Sequence, residues 1–426
     1  MSQLTGYLKG TNQVDVFSGL IEITSPPIDI LGAAIIDAAI KTLGGNDQIE
    51  GMATVISDPS SEGQTEGKAE AYGIFAKVDA GTGNNTITAV GTAEGRSANG
   101  YGVSQGLIQA GSGNDEITFK GSGTASNEED VVGNGYGIRD GSVDGSGGND
   151  VITITGSGTI SNARGVGNGY GVLRAEVNGG DGQDTLTITG KGAATEGSGF
   201  GSGNGYGVSN GLIDGGHGDD VITITGTGRG FSPVAEESTG AGVFQGSVKG
   251  GSGNDEITIT GNGISDNFAI SNAYGVLEGT VDGGSGDDEI TITGNGRSEA
   301  SGRFGGLSNG YGVSHGAISG GSGDDILKIT GSGEGVTPAS GESPSGYAVA
   351  DGSVEGGSGN DTISLTGKAS GRGESVGIGT GYGLLRGWVD GGSGDDTISL
   401  TGKGSGSGGG RVVGTGTGTG MVLSMV

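Results

Sequence analysis

The sequence predicts an all-β chain, a right-handed parallel β-helix (β-solenoid) of about eleven coils of roughly 35 residues, with Gly-Asp loops lined up along one edge. Three observations carry that expectation. One block recurs eleven times, apolar and polar residues alternate inside it, and glycine marks its corners.

The block reads N-G-Y-G-V, five residues, then D-G-G-S-G-D-D-x-I-T-I-T-G-x-G. Its Gly loop closes at Asp47, Asn85, Asp115, Asp150, Asp184, Asp220, Asp255, Asp288, Asp325, Asp361 and Asp396. The front half keeps one length: Tyr136 to Asp150, Tyr206 to Asp220 and Tyr311 to Asp325 are each fourteen residues apart. The back half varies by several residues, as a coil with one surface loop should. Ser126 to Val132 and Ser298 to Leu307 are such loops. The first copy is degenerate but in register, with Ile35, Ile40 and Ile49 in the places of Val103, Ile108 and Ile117. The second is one residue short between Tyr72 and Asn85.

Each element follows from a local pattern. Val151-Ile152-Thr153-Ile154-Thr155 alternates with period two, hence a strand with one buried face. Shorter strands precede it around Tyr136-Gly137-Ile138 and Ser142-Val143. Tyr101, Val103, Ile108, Ile117 and Phe119 are the expected inward side chains of one coil. Stacking would place Tyr101, Tyr136, Tyr170, Tyr206, Tyr274 and Tyr311 in one ladder, broken by Ala241, and Asn134, Asn168 and Asn204 in another. Both read as structural; a tyrosine stripe would meet sugars only if it pointed outward. Residues 1–33 read as an N-terminal cap or assembly segment, 34–402 as the solenoid, and 403–426 as a Gly-rich cap, secretion or assembly tail.

Composition sets limits. Glycine supplies 106 of 426 residues and hydrophobic residues are 31%, too little for a thick core. With 6 prolines and no Gly-X-Y period, collagen is excluded. A net charge of −29 repels nucleic acid and anionic membranes and attracts cations. No window has the length of a transmembrane helix. The opening MSQLTGYLKGTNQ lacks the basic and apolar regions of a Sec signal. Ser104, Ser209 and Ser314 sit in G-x-S-x-G matches, but each falls at the same repeat position without a strand-elbow-helix context. The two histidines, His217 and His315, make no credible triad with them, and no enzyme is expected.

With no cysteine, metal is the natural staple for so thin a core. Seven loops are full GGxGxD, from Gly179–Asp184 to Gly391–Asp396. Glycines let carbonyls converge and Asp adds a carboxylate, an all-oxygen set suited to calcium. Stacked without a cation, these acids would repel, so the metal-free chain is expected to be largely unfolded.

GGxGxDxIx resembles the RTX, or hemolysin-type calcium-binding, repeat of secreted bacterial proteins. The resemblance covers about nine residues of each coil. It implies calcium held jointly by adjacent turns, with Asp115, Asp150, Asp184, Asp220, Asp255, Asp288, Asp325, Asp361 and Asp396 as ligands and Asp47 as a weaker one. The glycine carbonyls it implies are those of Gly216, Gly218, Gly251, Gly253, Gly284, Gly286, Gly321, Gly323, Gly357, Gly359, Gly392 and Gly394. Asp219, Asp287, Asp324 and Asp395 are outer-sphere candidates, as are Asp79, Asp144, Asp214, Asp282 and Asp390, for which turn capping is the alternative. Where RTX rolls run nonapeptides in tandem, this chain has one per coil, so a single column of about ten Ca²⁺ is expected. Asn85 puts its own site in doubt. The resemblance also implies type I secretion without an N-terminal signal.

Three functions fit: a calcium-binding structural protein of the bacterial exterior that self-assembles end to end into a filament, sheath or surface layer; an adhesin or matrix protein with a polysaccharide partner; and an ice-binding protein. The last would use outward rows such as Thr153/Thr155 and Thr223/Thr225, interrupted at Lys328, Ser364 and Ser399.

Overall fold

The computed structural model describes residues 4–9, 11, 13–25, 30–57, 68–126, 130–161, 163–195, 201–232, 237–267, 270–298, 307–336, 343–373, 378–408 and 421–425. Pro26-Pro27, most of the Gly-rich tail and the tips of the two variable loops lie outside them.

The chain is a parallel β-solenoid. In the Asp220 turn the three strands are Gly201–Ser209, Leu212–His217 and Val221–Ser232. Each pairs in parallel with its equivalent one turn on: Gly205 with Gly240, Ile213 with Val248, Ile222 with Ile257. Equivalent residues therefore recur about every 4.8 Å along the axis.

The expected eleven coils are corrected to nine three-stranded turns, those closing at Asp115 to Asp396. The Asp47 and Asn85 copies form two-stranded turns, because Ile30–Lys41 and Lys68–Asp79 each run on as one strand where later turns have two. The missing corner is the reason. From Gln105 onward a non-glycine residue with φ between 49° and 53° breaks the strand: Gln105, Asp140, Arg174, Asn210, Gln245, Glu278, His315, Asp351 and Arg386. No such residue occurs in the earlier copies among the described residues. A further two-stranded turn, Leu4–Lys9 and Val16–Ser25, continues the same parallel ladders.

The core is a set of aliphatic columns, four side chains per turn. In the Asp220 turn these are Val208, Ile213, Ile222 and Ile224, all fully buried. Two smaller clusters add to it, one with Ala53, Val55, Ala71 and Ala98 and one with Ala125, Val131, Ile160 and Ala194, and elsewhere much of the interior is glycine facing backbone. A Cβ on Gly226 would strike the carbonyl oxygen of Ala241, and one on Gly205 that of Thr227. The first and third sheets approach too closely there for any side chain.

That approach corrects the placing of tyrosine. Tyr101 is buried but is not part of the aliphatic core. Its neighbours Gly100 and Gly102 face the third strand, so Tyr101 points away from it. The tyrosines stack on the outer side, with ring centroids 4.5–5.3 Å apart from Tyr72 through Tyr101, Tyr136 and Tyr170 to Tyr206. Tyr274, Tyr311, Tyr347 and Tyr382 stack at 5.0–5.5 Å. At the Ala241 gap, Phe244 leans against Tyr206 at 5.6 Å. Beside them the asparagine amides bond in series, Asn134 Nδ2 donating to Asn99 Oδ1 at 2.8 Å, Asn168 to Asn134 at 3.0 Å and Asn204 to Asn168 at 3.1 Å.

The final strand, Met421–Met425, folds back antiparallel onto Asp396–Gly408. No helix among the described residues is long and apolar enough to cross a membrane.

Candidate metal centre: a column of buried aspartates

In the nine three-stranded turns each Gly-Asp loop joins the second strand to the third. In the seven full GGxGxD loops the second and fourth positions take φ values suited to glycine, 109° at Gly216 and 121° at Gly218. Two side-chain ladders of opposite direction then tie the floors together. The closing acid reaches back: Asp184 N–H donates to Asp220 Oδ1 and Asp220 N–H to Asp255 Oδ1, both at 2.8 Å. This series runs from Asp15 through every closing residue to Asp396. The residue before it reaches forward: Asn254 N–H donates to Asp219 Oδ1 at 2.8 Å, and Asp287 N–H to Asn254 Oδ1 at 2.7 Å.

Asp219, Asp287 and Asp324 belong to this outer, exposed row and accept backbone N–H bonds there, and Asp395 ends it. Asp144 and Asp390 cap their own loops, accepting from the N–H groups of Ser146 and Gly392 at 3.0 and 3.1 Å. Asp79 pairs with Lys41. Asp214 and Asp282 add repulsion to Asp255 and Asp288.

The inner column leaves one oxygen per floor without a donor. Oδ2 of Asp47, Asp115, Asp150, Asp184, Asp220, Asp255, Asp288, Asp325 and Asp361 is buried and unpartnered. Burial pushes six of them up, to about 7 at Asp150, Asp220 and Asp288 and to about 6 at Asp115, Asp255 and Asp325. Asp184 and Asp361 are raised for the same reason. An ionised group without water or partner is unstable, so the column calls for positive charge or protons.

The surroundings of these oxygens divide the column. A Cβ on Gly145 would fall against both Asp150 Oδ2 and the carbonyl oxygen of Gly179 on the next floor. Gly179, Gly215, Gly250, Gly283, Gly320 and Gly356 repeat this relation, making seven gaps from Asp150/Gly179 to Asp361/Gly391. Each brings a carboxylate oxygen and a carbonyl oxygen to a point where a methyl would clash with both. The early floors fill it with protein. Asn85 Nδ2 donates to the carbonyls of Gly83 and Ala110 at 3.0 and 3.1 Å. Thr42 Oγ1 donates to the carbonyl of Ala80. Thr42, Ala80 and Ala110 also carry side chains at the first loop position, where the seven have glycine.

A buried anionic oxygen beside a carbonyl fits a hard cation. Among the described residues no three His, Cys, Asp or Glu side chains meet at one point. Each ion would thus take one carboxylate per floor and otherwise carbonyl or water oxygens. Of the carbonyls implied by the resemblance, Gly216 O lies under Gly251 and Gly218 O under Gly253, and the pattern repeats to Gly392 and Gly394. The carbonyls that face the orphan oxygens belong to the first loop glycines, Gly179 to Gly391, which sequence reasoning did not nominate. The signal was the switch from alanine to glycine at that position after Ala110.

The structure also brings Ser314 Oγ to 3.1 Å from His315 Nδ1, with His315 Nε2 3.9 Å from Asp351. The serine is buried, leaving its hydroxyl no path to a substrate, and Asp351 is held by Arg386 at 2.8 Å.

Fold and column together define a class: a parallel β-solenoid whose loops stack buried carboxylates along one edge. No protein-family model matches the chain, and no curated protein matches it. Among solved structures it is similar to a hyperactive, Ca2+-dependent, beta-helical antifreeze protein from an Antarctic bacterium. The two share 16% identity at a TM-score of 0.29, covering 92% of this chain and 83% of that one.

Proposed function

We propose that the chain is a calcium-stabilised structural rod of the RTX kind, working outside the bacterial cell. The observation that carries this is the run of seven glycine gaps, each presenting an orphaned carboxylate oxygen. Asp150, Asp184, Asp220, Asp255, Asp288, Asp325 and Asp361 would hold one ion each, with the first-glycine carbonyl of the next floor. When bound, the ion supplies the charge that keeps these acids ionised and joins adjacent floors. Calcium suits a carbonyl-rich site better than Mg²⁺, which demands a strict octahedron and keeps its waters. Millimolar calcium outside cells would fill weak sites that the cytoplasm leaves empty, which fits export by a type I route.

Filament formation has less support. Met421–Met425 occupies the edge of Asp396–Gly408, which a second copy's third sheet would need. The reading favoured is an individual rod, about 60 Å long from the stacking of its turns. Metal analysis after dialysis in calcium, with electron microscopy of the same sample, tests both parts. About seven ions per chain and short single rods are expected. A metal-free rod would sink the calcium reading, and long filaments would sink the isolated one.

A second reading rests on the outer face of the third sheet. Thr155, Thr189, Thr225, Thr260, Thr293, Thr330, Thr366 and Thr401 stack in register. Thr118, Thr153, Thr187, Thr223, Thr258 and Thr291 form a parallel file two residues away. Such a regular hydroxyl and methyl array can order water, which would suit binding to ice. Thermal hysteresis that disappears in Thr225→Lys would support it; none in the wild-type protein would end it.

A further inference from the structure

We infer that the furrow beside the left-handed corner binds a neutral polysaccharide chain, anchored at one end by Trp388. This goes beyond the cation column and draws on different residues.

Two cavities, of about 640 and 500 Å³, lie on the same corner, one centred on Arg174 to Gln245 and the other on Glu278 to Trp388. They lie on successive floors, in register through Ser247 and Thr280, and together mark a furrow along the axis. Its floor is the residue after each corner, such as Gly211, Gly246, Gly279, Gly316 and Gly352. One wall is the row of corner side chains. The other is the first residue of each second strand, in register from Leu212 through Thr280 and Ser353 to Trp388.

The channel's chemistry selects its occupant. Its cations are paired: Arg174 donates to both oxygens of Asp140 at 2.7 and 2.9 Å, and Arg386 donates to Asp351 at 2.8 Å, while Glu176 and Glu278 leave the lining acidic. Gln245 donates to Glu278 at 2.7 Å. Paired groups of this kind still offer lone pairs and N–H bonds to hydroxyls, while a chain at −29 repels a polyanion. An extended peptide would need free backbone groups. The floor has few to give, since Gly211 O, Gly246 O and Gly316 O already accept N–H bonds from Ser247, Thr280 and Ser353.

Trp388 supplies the apolar contact. It is the only tryptophan, it is 51% exposed, and it stands where the two preceding floors have Ala317 and Ser353. The stacked tyrosines cover one another's faces and present edges. Trp388 has no ring contact among the described residues, so its face is open to a sugar ring, with the Asp351–Arg386 pair alongside for hydroxyls.

The single tryptophan makes the test direct. The full chain, in calcium, is titrated with neutral oligosaccharides of β-glucan, α-glucan, mannan and chitin type while its fluorescence and acrylamide quenching are followed. The corresponding polymers are cast into native gels for affinity electrophoresis. At least one class should give a saturable emission change, protection from quencher and gel retardation. Trp388→Ala should weaken retardation about tenfold, as expected for losing an aromatic anchor. Trp388→Phe should keep part of it, and the unaltered circular dichroism of Trp388→Phe guards against a folding artefact. No response to any class, equal retardation of Trp388→Ala and wild type, or retardation by polyanions alone would overturn the proposal.

Discussion

Chelating calcium with EGTA at about pH 7.5 should unfold the floors from Asp150 to Asp396, read as loss of β-type circular dichroism. In those floors the orphan oxygens face carbonyls, with no donor between them. The first floors should resist, because Thr42 and Asn85 already place donors on the equivalent carbonyls. Hydrogen exchange should therefore keep the amides of Gln48–Ser57 and Thr86–Gly95 protected while those of Val151–Ser161, Thr185–Ala194 and the later third strands exchange freely. Acid should partly replace calcium. The carboxyls of Asp115, Asp150, Asp220, Asp255, Asp288 and Asp325 rise from an ordinary 3.8 to about 6 or 7 in the folded chain. The folded form binds protons more tightly than the unfolded one. Their stabilisation is therefore fully present below about pH 4 and is lost as pH rises through 6 to 7. A calcium-free sample should regain β structure as pH falls through that window. An unchanged spectrum in EGTA at neutral pH would contradict the whole account of the column.

Replacing the seven gap aspartates with asparagine should yield a rod that needs no calcium. Asn85 shows how. Its Oδ1 still accepts the N–H of Asp47 at 2.9 Å, while its amide hydrogens satisfy two carbonyls. The substitution thus keeps the ladder bond and removes the buried charge. A single Asp220→Asn should raise stability in EGTA by about 1–3 kcal/mol, the usual penalty of one unsatisfied buried group. The sevenfold variant should fold in EGTA, lose the transition near pH 7 while Asp115 still titrates near 6, and bind almost no calcium. Asn85→Asp should do the reverse and make the second floor sensitive to chelation. If the sevenfold variant is unfolded in EGTA, the amide does not substitute for the ion and the comparison with Asn85 fails.

Much of the fold was legible because its signals are local. Val151 to Thr155 alternates, and the fixed distance from Tyr206 to Asp220 sets one register for the whole stack. The count of turns was not, because Lys68–Asp79 matches the repeat in spacing yet lacks the left-handed residue that divides it. At the column, the acids could be located by motif alone. The division between Asn85, Ala110 and the seven glycine gaps could not, since each gap is shared by two floors about 35 residues apart.

By itself the sequence determined a parallel solenoid with acid loops on one edge, because period, register and corner residues act over a few positions. The tertiary structure alone decided three things. Tyrosine faces outward, since Gly205 and Gly226 bring two backbones too close to admit a ring. The oxygens left without donors are set by the side chain one floor away. Corner residues far apart in the chain, from Arg174 to Arg386, line a single furrow that ends at Trp388. Each is a matter of which surfaces meet when floors stack, which no single repeat encodes.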